Sequence, residues 1–277
     1  MFKKILIANR GEIAVRVIRA CKEWGIKTIA IHSDVDKKSM HVKLADESVC
    51  VGPAQASESY LNVASIITAS TITNVDAIHP GYGFLSENSK FASIVEEHGI
   101  EFIGPSSKHI ELIGNKIQAK ETMSGNYVPV IPGIKEIKDN KQITDFGEQY
   151  GYPLLVKAAS GGGGKGMRII YNKSEIDSAL IAAKNESQKS FNDNTLYLEK
   201  LLSNPKHIEI QIMADKFGNV IHLGERDCSI QRNHQKLIEE CPSSVITKEQ
   251  REEIGKISIN AVKKIGYEGI GTIEYLF

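Results

Sequence analysis

The chain has 277 residues, 41% hydrophobic and 25% charged, which is enough apolar material for one large domain or two to three smaller ones. Its 34 basic and 34 acidic side chains cancel, leaving no field to hold nucleic acid or an anionic membrane. No apolar run approaches the roughly 18 residues that cross a bilayer, and the start lacks a signal peptide's apolar stretch, so a cytoplasmic protein is expected. Cys21, Cys50, Cys228 and Cys241 are scattered, without zinc or redox spacing, and all four read as reduced packing residues.

Residues 3–8 form a β-prone run. Ile13, Val17, Ala20 or Cys21, and Trp24 then recur at helical spacing, predicting a helix ended by Gly25. Strands are expected over 27–32, 75–79 and 101–103, and helices over 60–69 and 86–98, the latter closed by Gly99. This alternation predicts a parallel sheet with helices on both faces. The turn Ala8-Asn9-Arg10-Gly11-Glu12-Ile13 has one glycine where the dinucleotide fingerprint needs three, which argues against a dehydrogenase.

A different pattern begins near residue 115. Pro129, Pro132 and Gly133 punctuate a connection, 145–150 reads as a short helix, and 153–158 as a strand. Ser160-Gly161-Gly162-Gly163-Gly164-Lys165-Gly166 follows, then a strand over 167–171. Consecutive glycines suit a backbone that bends sharply or approaches a ligand, with phosphate oxygens the natural guest. A Walker A loop needs Ser or Thr after its lysine and then a helix; here Gly166 and β-prone residues follow. The segment therefore reads as a glycine hairpin closing over phosphates as a lid, and its flanking strands argue against a flexible linker.

Ser174 with Asp177 has the spacing of a capping box, and Ile176, Ala179, Leu180 and Ala183 line the buried face of the helix behind it. Residues 196–202 form the next strand. Ile208, Ile210 and Ile212 then oppose Glu209 and Gln211 across a strand, which turns at 216–219 and returns over 220–225. Thr247 with Gln250 starts a helix whose stripe is Ile254, Ile257, Ala261, Val262 and Ile265, ended by Gly266. In the last strand, 271–277, Glu274 is a carboxylate among apolar residues and must be paired, coordinated or solvent-facing.

Six segments in order carry a resemblance: Ile7-Ala-Asn-Arg-Gly-Glu-Ile13; His79-Pro-Gly-Tyr-Gly-Phe-Leu-Ser-Glu-Asn88; Phe102-Ile-Gly-Pro105; Lys116 within Gly114-Asn-Lys-Ile-Gln-Ala-Lys-Glu-Thr-Met123; Lys157 before the glycines; and Glu225-Arg-Asp-Cys-Ser-Ile-Gln-Arg-Asn-His-Gln-Lys236. Together they resemble biotin carboxylase, the ATP-grasp component of acetyl-CoA, propionyl-CoA and pyruvate carboxylases. The resemblance implies an α/β chain: a Rossmann-like parallel-sheet domain over 1–114, a linker and ATP-grasp lid over 115–203, and the truncated start of an ATP-grasp C-terminal domain over 204–277.

The implied activity is that of an ATP-dependent ligase, which activates bicarbonate as carboxyphosphate and carboxylates biotin on a carrier, a step of fatty acid biosynthesis in acetyl-CoA carboxylase. The implied cofactors are ATP, magnesium or manganese, biotin and bicarbonate. By the resemblance Lys116 and Lys157 contact ATP, whose phosphates suit two compact cations, and Gly163 and Gly164 donate lid backbone groups. Glu199, Lys200, Leu201 and Leu202 form the adenine-binding strand, largely through backbone. His207, Gln231 and His234 lie near ribose and phosphates, Lys236 is catalytic in holding bicarbonate, and Glu274 is a magnesium ligand. His79, Tyr82 and Glu87 are assigned to loop structure and domain contacts rather than to chemistry.

Family members continue past Phe277 through a second metal-binding carboxylate and asparagine, a catalytic arginine, a glutamate base and an arginine near biotin. The chain is therefore expected to be an N-terminal fragment that binds nucleotide weakly and is inactive alone. Expected partners are a biotin carboxyl carrier, a carboxyltransferase and, at full length, a second copy. A non-catalytic nucleotide-binding or scaffolding subunit is the alternative.

Overall fold

In the computed structural model the first β-prone run becomes a short buried strand, β1 (Lys4–Ile7), and the expected alternation follows it. The structure describes every residue except 115, 127, 159–166, 192 and 233–234, together with the backbone but not the side chains of 116, 117 and 191. The chain divides into two compact units, Met1–Gly114 with Tyr267–Ile270, and Asn115–Gly266 with Gly271–Phe277.

In the first unit come α1 (Gly11–Glu23), β2 (Lys27–Ser33), α2 (Met40–Leu44), β3 (Glu47–Gly52), α3 (Val63–Thr73), β4 (Ala77–His79), α4 (Ser89–Glu97), β5 (Glu101–Phe102) and α5 (Ser107–Gly114). All paired strands are parallel, in the order β3-β2-β1-β4-β5. Both faces of the sheet are covered, as a parallel sheet requires. Ile5, Ile7 and Ala30 pack with Val17 and Ile18 of α1, while Leu6, Ile29 and Ile78 pack with Ile66 of α3 and Phe91 of α4. Asn62 and Asn88 cap α3 and α4 by accepting the N–H groups of Ser65 and Phe91.

Several sequence expectations are corrected here. Trp24 is 70% exposed, because α1 stops at Glu23 and the chain turns at Gly25 with φ +70; the buried stripe is Ala14, Val17, Ile18 and Cys21. Tyr60 precedes α3 rather than belonging to it. Its ring stacks on Phe84, and its hydroxyl donates to the buried Asp36, which Arg10 pairs bidentately. The strand β3, which the sequence pattern does not predict, is largely exposed and turns Cys50 outward. Cys241 is also exposed, so only Cys21 and Cys228 pack inside.

The second unit holds α6 (Lys116–Gly125), β6 (Gly133–Ile134), α7 (Asn140–Tyr150), β7 (Leu154–Ala158), β8 (Arg168–Ile170), α8 (Ile176–Phe191), β9 (Leu196–Lys200), β10 (His207–Ala214), β11 (Val220–Arg232), β12 (Gln235–Glu240), α9 (Lys248–Lys264) and β13 (Gly269–Leu276), the first two residues of β13 falling in the first unit. Its strands form two four-stranded sheets, β6-β9-β7-β8 and β12-β11-β10-β13. In the first, Leu154, Val156, Leu196 and Leu198 meet Ile143 and Phe146 of α7 and Ile176, Leu180 and Ala183 of α8. The capping expectation at Ser174 is corrected. Asn172 accepts from the backbone N–H and hydroxyl of Ser174, and Asp177 bonds to Asn140 instead of closing a box.

In the second sheet Ile208, Ile210 and Ile212 are fully buried on one face. The helix α9 packs on β10 and β11 and carries the expected capping box of Thr247 and Gln250. Its buried stripe is Gly255, Ser258, Ala261 and Val262, rotated from the isoleucines read in the sequence. Gly255 explains the rotation, since a Cβ there would stand 2.6 Å from the His222 ring and only glycine lets the helix come this close. No helix among the described residues is long and apolar enough to cross a membrane.

Candidate functional site

Two charged clusters stand on sheet faces turned away from α7 and α8 in one sheet and from α9 in the other. In the first, strand alternation sends Val156 and Leu198 into the core, and Lys157 and Glu199 to the opposite face. Lys157 pairs in register with Tyr197 and Glu199 with Leu155, so the two charged side chains are diagonal neighbours. Lys157 Nζ donates to Glu199 Oε2 at 2.6 Å, and Lys120 Nζ from α6 donates to Oε1 at 2.8 Å. Burial opposes the charge on Glu199, but the Lys157 ammonium and the Lys120 hydrogen bond outweigh it and lower the carboxyl pKa.

The second cluster crosses all four strands of the other sheet. Lys236 Nζ on β12 donates to Glu209 on β10 and, at 2.6 Å, to Glu274 Oε1 on β13. Glu209 is 3% exposed and is also held by Arg226 of β11, whose Nη1 donates to Gln211 Oε1 at 2.9 Å. Gln211 Nε2 in turn donates to the Gly271 carbonyl of β13 at 2.8 Å. His207 completes the cluster. Gln231 Nε2 donates to its Nδ1, which puts the ring proton on Nε2, 3.5 Å from Glu274 Oε2.

These contacts fix the charge states. The His207 hydrogen bond, followed by Lys236, overcomes burial and holds the Glu274 carboxyl at about 2. Burial disfavours the Lys236 ammonium, but Glu209 and Glu274 together raise its pKa well above the ordinary lysine value. Three carboxylates, Glu209, Glu239 and Glu274, surround the two cations Arg226 and Lys236. An ammonium has three donors, and Glu209 and Glu274 engage two of them. Glu274 is ionised and half exposed, which suits a hard divalent cation. Cys228 sits beside Glu209 and Glu239, and burial and Glu209 push its thiol up to about 11.

The structure thus brings Lys157 together with Glu199, and Lys236 with Glu274, His207 and Gln231. Lys200 is turned aside, its Nζ donating to the Gly151 carbonyl, and Leu201 and Leu202 lie just past β9. The backbone N–H groups of Lys200 and Leu201 already donate to Pro132 and Pro153 carbonyls. Gly163, Gly164, His234 and the side chain of Lys116 lie outside the described residues. His79 accepts from the Gly81 N–H, and Tyr82 binds Glu12, joining the two N-terminal loops; Glu87 is exposed. Sequence reasoning missed Lys120, Arg226 and the pairing of Glu209. The one available signal for Lys120 was its position one turn after Lys116 on the same helix.

Comparison with known proteins gives the same direction. Residues 1–110 match the family "Biotin carboxylase, N-terminal domain", and residues 115–277 match "Carbamoyl-phosphate synthase L chain, ATP binding domain". The biotin carboxylase of Allochromatium vinosum is 52% identical over 279 residues, covering 100% of this chain and 62% of that protein. A biotin carboxylase–β-γ-ATP complex from Campylobacter jejuni superposes with a TM-score of 0.92 at 49% identity, covering 100% of this chain and 62% of that one. The biotin carboxylase domain dimer of Hydrogenobacter thermophilus 2-oxoglutarate carboxylase, with MgADP, ADP and bicarbonate, gives 0.90 at 51% identity, covering 100% and 61%. The chain spans about 62% of the length of the curated relatives it matches. With both halves matched in order and about half of all residues identical, the chain belongs to the biotin carboxylase family of ATP-grasp proteins.

Proposed function

We propose that this chain carries the nucleotide- and bicarbonate-binding machinery of an ATP-dependent biotin carboxylase. The observation that carries the reading is Lys236, an ammonium held between Glu209 and Glu274 with one donor direction left. A fixed cation of this kind orients bicarbonate for attack on the γ-phosphate and stabilises charge that develops in transfer. Lys157 and Lys116 are read as contacts to the ATP phosphates, with Gly163 and Gly164 as lid donors. His207, Gln231 and His234 are read as lining the ribose and phosphate path, and Glu199, Lys200, Leu201 and Leu202 the adenine.

Glu274 is the residue that would hold magnesium, because its carboxylate is ionised, half exposed and already fixed on one oxygen by Lys236. Bound there, the cation would neutralise phosphate charge. The carboxylated product would be biotin on a carrier protein or domain, passed to a carboxyltransferase, in a cytoplasmic and dimeric assembly. The final acceptor, an acyl-CoA or a 2-oxoacid, is chosen by that second enzyme.

The test supplies the chain with MgATP, isotopically labelled bicarbonate and free biotin. Label entering biotin only when ATP and magnesium are present establishes the full reaction. Nucleotide binding without label confines the chain to the nucleotide half, and failure to bind MgATP contradicts both.

A further inference from the structure

Glu199 is 7% exposed, yet its two oxygens hold two different lysines, Lys157 on Oε2 and Lys120 on Oε1. Within this trio the charge is one carboxylate against two ammonium groups. Withdrawing the partner of a buried carboxylate is costly because it leaves an unpaired charge in low dielectric. A nucleotide polyphosphate that draws Lys157 toward itself imposes that cost on Glu199, unless a second cation stays behind. Lys120 is that cation. It uses its own carboxylate oxygen, so the departure of Lys157 leaves the Lys120 bond intact.

We propose that Lys120 is a positioning residue for nucleotide binding: it keeps Glu199 neutralised so that Lys157 is released to the polyphosphate, and without it Lys157 is locked onto Glu199. The inference rests on the reading of Lys157 as a phosphate contact. A clamp that merely ties α6 to β9 would carry the same hydrogen bonds, so the test needs a readout that a clamp does not move.

Calorimetric titrations of ATP and of adenosine into the unaltered chain, K120M, K120R and K120M/E199Q provide it. K120M is expected to weaken ATP about tenfold, equivalent to about 1.4 kcal/mol, and to leave adenosine within about twofold. K120R keeps the charge and holds ATP near the unaltered affinity, and K120M/E199Q, which removes the carboxylate trap, recovers most of the loss of ATP affinity measured relative to adenosine. Unchanged ATP affinity in K120M overturns the proposal, as does an equal loss for ATP and adenosine or a failure of E199Q to rescue. If K120M proves unstable, E199Q decides through the ratio of ATP to adenosine affinity, in which any adenine contact of Glu199 cancels: with both lysines released the ratio must be at least that of the unaltered chain, and a lower ratio overturns the proposal. An unaltered chain that binds adenosine but not ATP, or neither, refutes the phosphate-contact reading itself and the Lys120 role with it.

Discussion

A lysine held by two carboxylates behaves differently from one on an open surface, because its charge and direction are both fixed before any ligand arrives. Lys236 and Glu274 stand in that relation, and their titration gives a prediction. The Glu274 carboxyl is held at about 2 against an ordinary 4.5, so it is ionised in both folded and unfolded chains above pH 4.5 and its stabilisation is fully present there. As pH falls from about 4.5 through about 2 the folded state loses that contribution. Urea midpoints of the unaltered chain and of E274Q, compared from pH 6 down to about 2, should therefore converge on the acid side. Curves that stay parallel would remove the His207 and Lys236 contacts as the cause. At this scale Lys157, His207, Gln231, Lys236 and Glu274 were read as site residues through the family resemblance, and Glu274 alone also stood out by breaking an apolar alternation. Lys120 and Arg226 were not, because their roles exist only through partners on β9 and β10, 79 and 17 residues away in sequence.

Short elements are legible only through their partners. Gly133 reads as punctuation in a proline-rich connection, yet with Ile134 it forms β6 against Glu199 and Leu198 of β9. Two residues have no period to read. The glycine is required by the close approach: a Cβ there would fall 2.4 Å from the Leu198 carbonyl oxygen. G133A should therefore force β6 away from β9 and destabilise the unit by about 1–3 kcal/mol, as overpacking does elsewhere. Because β9 carries Glu199, the same variant should weaken ATP more than a stability change of that size explains. A denaturation curve and an ATP titration that both match the unaltered chain would contradict this. The rotation of the α9 stripe has the same origin, since the nearness of Gly255 to His222 is a property of helix and sheet together.

For the whole molecule, the strand and helix alternation before residue 115 was enough to predict a parallel sheet covered on both faces, and that sheet is present. The order β3-β2-β1-β4-β5 and the strand β3 were beyond reach, because order depends on pairing and β3 is exposed along much of its length. Both charged clusters lie in the unit Asn115–Gly266 with Gly271–Phe277. A ligand that binds a folded unit stabilises it by about 2.7 kcal/mol at a hundredfold excess over Kd. Hydrogen exchange with MgATP should therefore slow amides of β7, β9, β10 and β13 and leave β1, β2 and β4 unchanged. Equal protection of the parallel sheet would mean that the nucleotide binds elsewhere.

The central claim is that Lys157 contacts the ATP phosphates while Lys236 holds bicarbonate, and a calorimetric titration of MgATP into the unaltered chain, K157M and K236M tests it most directly. The account predicts binding by the unaltered chain, weakened about tenfold or more in K157M and within about twofold in K236M, while the far-ultraviolet spectra of both variants stay unchanged. Equal affinity in the unaltered chain and K157M, or an equal loss in K157M and K236M, would contradict it.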